Sequence, residues 1–156
     1  MELSIRKAEM RDIDAVESIY NRILDNEQES GNIYTNWQKG IYPTRNDAVS
    51  ALEAGTLYVG ELDGKVAACV NLNHIQPPEY SKINWSLEAD GREVLVIHTL
   101  CIPPENAGKQ LGKQFVEFAE KLAGELGCKT IRLDTYEGNI PASSLYRNWC
   151  VFWFFI

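Results

Sequence analysis

Hydrophobic and polar residues follow one another along the chain in patterns that predict alternating strands and helices. Leu3–Arg6 alternates as a short strand. From Asp12 to Leu24 apolar residues recur at helical spacing, which predicts a helix with one buried face. The segment Asn26–Thr44 is polar, aromatic and irregular, so a loop is expected there. A shorter helix is predicted for Arg45–Ala54, stopping at Gly55.

The middle of the chain predicts a hairpin and then a buried strand. Leu57–Leu62 and Val66–Leu72 flank the pair Asp63-Gly64, which favours a tight type I′ turn. Val94–Ile102 is apolar at both odd and even positions, so we expect a central strand covered on both faces. Pro103-Pro104 ends that strand, because proline cannot donate a hydrogen bond to a neighbouring strand.

The last third predicts a helix, a strand and a final helix. Apolar residues occupy one face of Leu111–Leu126, and Gly127 closes the helix. Thr130–Thr135 alternates as a strand, and Pro141–Asn148 is a helix with proline in its first turn. The pattern therefore predicts one mixed α+β (mixed α/β) domain over residues 1–156.

Composition and charge narrow the class of protein. The chain has 156 residues, of which 45% are hydrophobic and 24% charged, as in soluble globular domains. Its 22 acidic and 15 basic residues give a net charge of -7, which argues against sequence-independent nucleic-acid binding. An acidic surface attracts cationic substrates, although solubility also explains it. With neither a signal-peptide pattern nor an apolar run of membrane length, we expect a cytoplasmic protein without a membrane partner.

Four cysteines, at positions 69, 101, 128 and 150, lack the spacing of a metal site. They form no C-x-x-C pair and have no histidine nearby at ligand spacing. We therefore expect no metal, and free thiols in a reducing compartment.

The segment from Asn106 to Gly112 has the composition of an anion site at a helix start. The first turn of a helix presents unpaired N–H groups and the positive end of the helix dipole. Gly108 and Gly112 allow a diphosphate to approach the backbone, while Lys109 and Lys113 add positive charge. A plain glycine turn before an amphipathic helix explains the same residues, and spacing alone leaves both interpretations open.

Five segments from Val94 to Tyr146 stand in a family-specific order. They are a strand ending in Leu100-Cys101-Ile102-Pro103, the loop Ala107–Gly112, the helix to Leu126, the strand Ile131–Thr135, and Asn139-Ile140-Pro141-Ala142-Ser143-Ser144-Leu145-Tyr146. In this order the chain resembles the acetyl-CoA core of the GNAT N-acetyltransferase superfamily. The opening Ile5-Arg6-Lys7-Ala8 extends the similarity over nearly the whole chain.

The resemblance implies a fold, a reaction and a cosubstrate site. It implies a central mixed sheet flanked by helices, and transfer of the acetyl group of acetyl-CoA to a primary amine by direct attack. The acceptor is a small-molecule or peptide amine of unknown identity. The residues that the resemblance assigns to coenzyme A are Leu100, Cys101 and Ile102 for the pantetheine arm, Ala107, Gly108, Lys109, Gln110, Leu111, Gly112 and Lys113 for the diphosphate, and Asn139 beside the arm.

Two residues are candidates for proton transfer. Tyr146 matches the family tyrosine that protonates the leaving thiolate, and a phenol of pKa ~10 suits that task; a lone tyrosine would otherwise be a core aromatic. His98 lies in an apolar strand, where a polar side chain requires a partner. Its ordinary pKa of ~6.5 suits removal of a proton from an ammonium group. A catalytic base and a hydrogen-bonded core histidine both remain open for His98.

Aromatic and acidic residues outside the core motifs are candidates for the acceptor pocket. Tyr34, Trp37 and Tyr42 lie in the segment that corresponds to the variable acceptor side of the family, and Trp85 lies in a later loop. Glu27 is a candidate partner for a cationic acceptor. Aromatic covers over the core and an exposed acidic loop are the alternative explanations.

Departures from the family pattern support a second hypothesis. Ala107 stands where the family has Gln or Arg, and Gln110 stands where it has Gly. Cys150-Val151 replaces a Gly-Phe pair, so the closing strand is expected to be short or absent. These changes suggest a catalytically weak or inactive acyl-CoA-binding or interaction module. They also suggest a homodimer in which a second molecule completes the sheet.

Overall fold

A computed structural model describes residues 2–136, 138–147 and 152–155, without the side chains of Ile140, Tyr146 and residues 152–155. These residues form one mixed sheet in the spatial order β1 to β6. The strands are β1 (Ser4–Lys7), β2 (Leu57–Leu62), β3 (Lys65–Asn73), β4 (Val94–Cys101), β5 (Thr130–Thr135) and β6 (Phe152–Phe155). The helices are α1 (Ile13–Ser30), α2 (Arg45–Glu53), α3 (Leu111–Leu126) and α4 (Ile140–Tyr146). Strands β1 to β4 are antiparallel, whereas β5 runs parallel to both β4 and β6.

Helices cover both faces of the sheet, as the resemblance implies. One face packs against α3, where Leu95 of β4 joins a cluster with Phe115 and Val116. The other face packs against α1 and α2, and Ile13 and Val59 lie in that cluster. Burial of alternate residues on opposite faces explains why β4 is apolar at both odd and even positions.

Local turn chemistry is confirmed where the sequence predicted it. Asp63 and Gly64 both adopt positive φ, 52° and 76°, as a type I′ turn between β2 and β3 requires. Helix α3 spans the predicted Leu111–Leu126 and ends at Gly127, which has a φ of 76°. The bounds of β2 and β5 also match the prediction.

The irregular segment predicted for Asn26–Thr44 is wrong at its start. Helix α1 continues to Ser30 and ends at Gly31, which is left-handed with a φ of 77°. Residues 25–30 are polar, so hydrophobic spacing could not reveal the last helical turns, although most of them are tolerated in helices. Strand β6 shows that the closing strand is short rather than absent.

The sheet opens between β4 and β5, and this opening positions the site. The two strands pair only from Val94–Thr130 to Val96–Arg132, after which β5 continues along β6. The other edge of β4 pairs with β3. Between the pairs Asn71–His98 and Cys69–Cys101, β4 has two residues and β3 has one, so β4 forms a bulge. Thr99 lies in this bulge with a φ of 51°.

Candidate active site

A cavity of about 1200 Å³ occupies the opening between β4 and β5. One end is formed by the start of α3 and by α4, and the other by the segment after α1. His98, Thr99 and Leu100 of β4 face Asp134 and Thr135 of β5 along its length. The cavity therefore joins the predicted cosubstrate residues to the predicted acceptor side.

The α3 end of the cavity presents unused backbone donors. Among the described residues no hydrogen bond engages the N–H groups of Gly108 or of residues 111–113. Gln110 adopts a left-handed backbone with φ 60° and ψ 29°, so it takes the conformation that glycine would otherwise supply at this position. A helix start of this kind is suited to a diphosphate.

Some side chains around the start of α3 line the cavity, and others contact neighbouring residues of the protein. Lys113 lines the cavity, whereas the ammonium of Lys109 donates to Asn106 Oδ1 at 3.0 Å and does not line it. A Cβ on Gly112 would lie 2.9 Å from Leu145 Cδ2, so the glycine permits close packing of α3 on α4. Among the predicted diphosphate residues, Lys109 is thus the one that does not line the cavity.

Replacing Gln110 tests the left-handed position at this helix start. In Gln110→Val the branched side chain disfavours the left-handed backbone by roughly 1–2 kcal/mol. We expect coenzyme A to bind about 10-fold more weakly to this variant. Gln110→Gly keeps the geometry and should bind at least as tightly as the wild type. Isothermal titration with coenzyme A measures both, and equal affinities of the two variants would contradict the prediction.

Asn139 stands at the start of α4 and also lines the cavity. Its Oδ1 accepts a hydrogen bond from the N–H of Ala142 at 3.1 Å, which caps the helix. Within the described part of the chain, its Nδ2 group has no partner and is available as a donor. The side chain of Tyr146, at the other end of α4, lies outside what the structure describes.

The three predicted residues at the end of β4 differ in their orientation. Leu100 and Ile102 line the cavity. The Cys101 side chain points the other way, into the cluster against α1, and is 1% exposed. Burial raises the pKa of the Cys101 thiol, which therefore stays neutral. A side-chain contact of Cys101 with a cosubstrate is thus excluded by its position, while its backbone remains at the strand edge.

His98 lines the cavity and is held by two acceptors on β3 and the chain after it. Its Nε2 lies 2.7 Å from Asn73 Oδ1 and 3.1 Å from the carbonyl oxygen of Ile75. The N–H of Ile75 donates to the same Asn73 Oδ1 at 2.9 Å, which identifies that atom as an acceptor. Since both neighbours accept, Nε2 carries the proton, and the neutral ring keeps a lone pair on Nδ1.

The protonation of His98 follows from its surroundings. Burial lowers the pKa of His98 below its ordinary value, and the carbonyl of Ile75 and the charge of Asp134 partly oppose this shift. The ring is therefore neutral at neutral pH. A hydrogen-bonded Nε2 and an unprotonated Nδ1 make the two interpretations of His98 compatible with each other.

Tyr34 and Trp37 line the predicted acceptor end of the cavity, together with Tyr42. The hydroxyl of Tyr42 hydrogen-bonds to the hydroxyl of Thr99 in the β4 bulge. Trp37 packs edge-on against the Tyr42 ring, with centroids 6.1 Å apart. The aromatic segment is thereby attached to the strand that carries His98.

Glu27 has a different environment from the exposed loop that sequence suggested. It lies on α1, is 6% exposed, and its carboxylate accepts from the N–H groups of Tyr34 at 2.6 Å and Thr35 at 2.9 Å. The Thr35 hydroxyl donates to the other oxygen at 2.6 Å. Glu27 borders the cavity, but its carboxylate holds the aromatic segment against α1.

Trp85, predicted for the acceptor pocket, does not line the cavity. Its ring packs on Tyr80 at 5.3 Å, and the Arg132 guanidinium lies 4.5 Å from the ring centroid. Its Nε1 donates to the carbonyl oxygen of Tyr80 at 3.0 Å. Trp85 therefore attaches the loop before β4 to the sheet.

Asp134 is a cavity residue that the sequence analysis missed. Its Oδ2 accepts a hydrogen bond at 2.7 Å from the hydroxyl of Tyr80. The signal was present in β5, where Arg132 and Asp134 are charged residues on the face opposite Ile131 and Leu133. Periodicity marked β5 as a strand but did not show that it borders an opening.

Comparison with known proteins identifies the class. Residues 15–150 match the model of the acetyltransferase (GNAT) family, and the chain belongs to that family. It is therefore an acyltransferase by class. No curated protein matches the chain significantly.

Solved structures share this fold at low sequence identity. A GNAT-family acetyltransferase from Streptococcus agalactiae has 21% identity and a TM-score of 0.78, covering 94% of this chain and 83% of its own. One from Listeria monocytogenes has 23% identity and a TM-score of 0.75, with coverage of 95% and 85%. The putative acetyltransferase yncA from Salmonella typhimurium, solved with its cofactor acetyl-CoA, has 17% identity and a TM-score of 0.65, with coverage of 95% and 78%.

None of the helices described here is long and apolar enough to cross a membrane.

Proposed function

We propose that the chain transfers the acetyl group of acetyl-CoA to a primary amine of a small molecule or peptide by direct attack. The observation that carries this proposal is a single cavity that joins unused N–H groups at the start of α3 to His98 at the opening of the sheet. Groups suited to binding an anionic cosubstrate and a group suited to removing a proton therefore line the same cavity.

Coenzyme A fits the donors along this cavity. The N–H groups of Gly108 and residues 111–113, with Lys113, are suited to the diphosphate. On its β5 side, the described pairing of β4 ends at Val96, so an extended pantetheine arm can pair along this edge toward Leu100 and Ile102. Acetyl-CoA supplies the activated acyl group, and the Nδ2 group of Asn139 is a donor beside its arm.

The chemistry needs a base, donors for the developing oxyanion and an acid. His98 Nδ1 is our candidate base, because Nε2 is held as a donor and the ring is neutral. Backbone N–H groups of the β4 bulge are candidates to polarise the thioester carbonyl. Tyr146 keeps its proposed role as the acid for the leaving thiolate on the strength of the family match alone.

The alternative of an inactive acyl-CoA-binding module depended on Gln110 and Cys150. Gln110 adopts the left-handed backbone that the loop requires, so its part of that argument is weakened. Cys150 lies outside the described residues. The cytoplasmic location and the homodimer stay predictions.

Thiol release distinguishes the enzyme from the binding module. We expect acetyl-CoA to raise the melting temperature of the purified chain and a panel of primary amines to release coenzyme A thiol. A thermal shift without thiol release for any amine would favour the binding module. Absence of a thermal shift would contradict both functions.

A further inference from the structure

Asp134 and His98 lie on facing strands at the point where the sheet opens. The last paired positions are Val96 of β4 and Arg132 of β5. Two residues further along each strand are His98 and Asp134, on the same face of the sheet as that pair. Both line the cavity, and the charge of Asp134 acts on the His98 ring.

The hydroxyl of Tyr80 supports the Asp134 carboxylate. Tyr80 is 2% exposed, packs with Val94 and Val96, and donates its hydroxyl proton to Asp134 Oδ2 at 2.7 Å. A buried hydroxyl that donates to one carboxylate oxygen fixes the orientation of the group. The carboxylate thus has a defined position at the wall of the cavity.

No cation of the described residues forms an ion pair with Asp134. Arg132, on the same face of β5, instead donates to Gln76 Oε1 at 2.7 Å and to the Leu87 carbonyl oxygen at 2.9 Å. Its guanidinium also stacks on Trp85. The neighbouring cation is therefore engaged with the loop before β4.

The other charges around the cavity are engaged or remote. The Glu27 carboxylate accepts three hydrogen bonds from Tyr34 and Thr35. Lys113 lies at the α3 end, where the cosubstrate diphosphate is expected. Asp134 is thus the carboxylate whose surroundings leave it able to pair with a cationic ligand beside His98.

We propose that Asp134 binds the ammonium group of the acceptor opposite His98, so that the enzyme selects amines that enter the cavity as cations. This inference rests on the proposed acetyltransferase function. It adds the recognition group of the acceptor, and with it the substrate class: alkylamines that are protonated in solution.

The proton balance of the reaction is closed by the residues already described. The bound ammonium gives a proton to His98 Nδ1, and the neutral amine nitrogen then bonds to the acetyl carbon as the carbon–sulfur bond breaks. The thiolate takes a proton from the acid, for which Tyr146 is proposed, and the second proton of the amine nitrogen returns to that acid as the amide forms. Overall, one ammonium ion and acetyl-CoA give an amide, coenzyme A thiol and one released proton.

A matched pair of acceptors tests the role of Asp134. One is the best primary alkylamine of the panel, and the other is the alkoxyamine in which oxygen replaces the CH₂ group next to nitrogen. The two have nearly the same shape, but the alkoxyamine is largely uncharged at neutral pH. In Asp134→Asn the amide oxygen can still accept from Tyr80, so the change removes the charge and preserves the support.

For Asp134→Asn we expect KM for the alkylamine to rise about 10- to 100-fold, because a hydrogen-bonded charge pair is lost. KM for the alkoxyamine and Kd for acetyl-CoA should stay within about 2-fold of the wild type, because neither ligand loses a charged hydrogen bond to residue 134. Glu79→Gln is the control. Glu79 is exposed, adjoins Tyr80 and does not line the cavity, so this substitution removes one negative charge outside the cavity. Neither acceptor should be affected by it.

Tyr80→Phe is a second variant that removes the support and leaves the carboxylate. We expect a smaller rise in KM for the alkylamine, with Kd for acetyl-CoA unchanged. Equal effects of Asp134→Asn on both acceptors, or no effect on the alkylamine, would overturn the inference and leave the acetyltransferase intact. A wild type that turns over neither amine would overturn the proposed function as well.

Discussion

Replacing His98 by Ala is expected to lower kcat/KM for an amine acceptor at neutral pH by about 100- to 10,000-fold, the range typical of a general base. The variant lacks Nδ1, whose lone pair is the proposed base on a ring that lines the cavity and is held through Nε2 by Asn73 and Ile75. Activity should recover as the pH rises, because the amine then loses its proton to water without assistance. Initial rates of thiol release over a range of pH measure this effect.

The pH dependence also tests the environment of His98. Because burial lowers the pKa of His98, the ring of the wild type loses its proton below its ordinary value of ~6.5. The acidic limb of the wild-type profile should therefore fall below that pH. The limb of His98→Ala should instead follow the acceptor amine, near ~10 for an alkylamine such as a lysine side chain.

His74→Gln is the matched control for this histidine. His74 does not line the cavity, and its Nδ1 lies 2.8 Å from the carbonyl oxygen of Val94. We expect its pH profile to coincide with that of the wild type. An unchanged rate and an unchanged profile for His98→Ala would return His98 to the role of a hydrogen-bonded core residue.

Replacing Tyr146 by Phe is expected to lower kcat about 100-fold or more while leaving Kd for acetyl-CoA nearly unchanged. The reason is chemical: the phenol protonates a thiolate that forms only as the carbon–sulfur bond breaks, so the ground state gains little from it. Single-turnover thiol release and titration with acetyl-CoA separate the two quantities.

Tyr58→Phe controls for the loss of a tyrosine hydroxyl. Tyr58 is buried in the cluster below α3, packs on Phe118 and does not line the cavity. Its replacement should leave kcat unchanged. If Tyr146→Phe weakened acetyl-CoA binding as much as it lowered kcat, Tyr146 would be a binding residue and the proposed acid would have to be another group.

The proposed cosubstrate end of the cavity was more predictable from the sequence than the proposed acceptor end. Gly108 and Gln110 directly precede the amphipathic helix α3 and Gly112 lies in its first turn, so a local motif carries their geometry. The acceptor end depends on contacts between distant segments. Glu27 and Tyr80 show this, because Glu27 accepts from the N–H of Tyr34 and Tyr80 donates to Asp134, and no sequence motif predicts either contact.

Hydrophobic periodicity by itself predicted the order of the elements from β1 to α4 and, apart from the end of α1, placed their bounds within two residues. Asp63-Gly64 and Gly127 predicted where elements end, because the left-handed backbone at a turn or a helix end favours these residue types. The order of motifs was sufficient for the family, which the match over residues 15–150 confirms.

Tertiary structure alone decided which side chains share the cavity. The separation of β5 from β4 after Val96–Arg132 brings Asp134 to the cavity wall, and the loop before β4 takes Trp85 away from it. Neither outcome is encoded in the spacing of one segment. Both follow from which strand edges remain paired and which polar groups find partners across the sheet, and those are properties of the assembled fold.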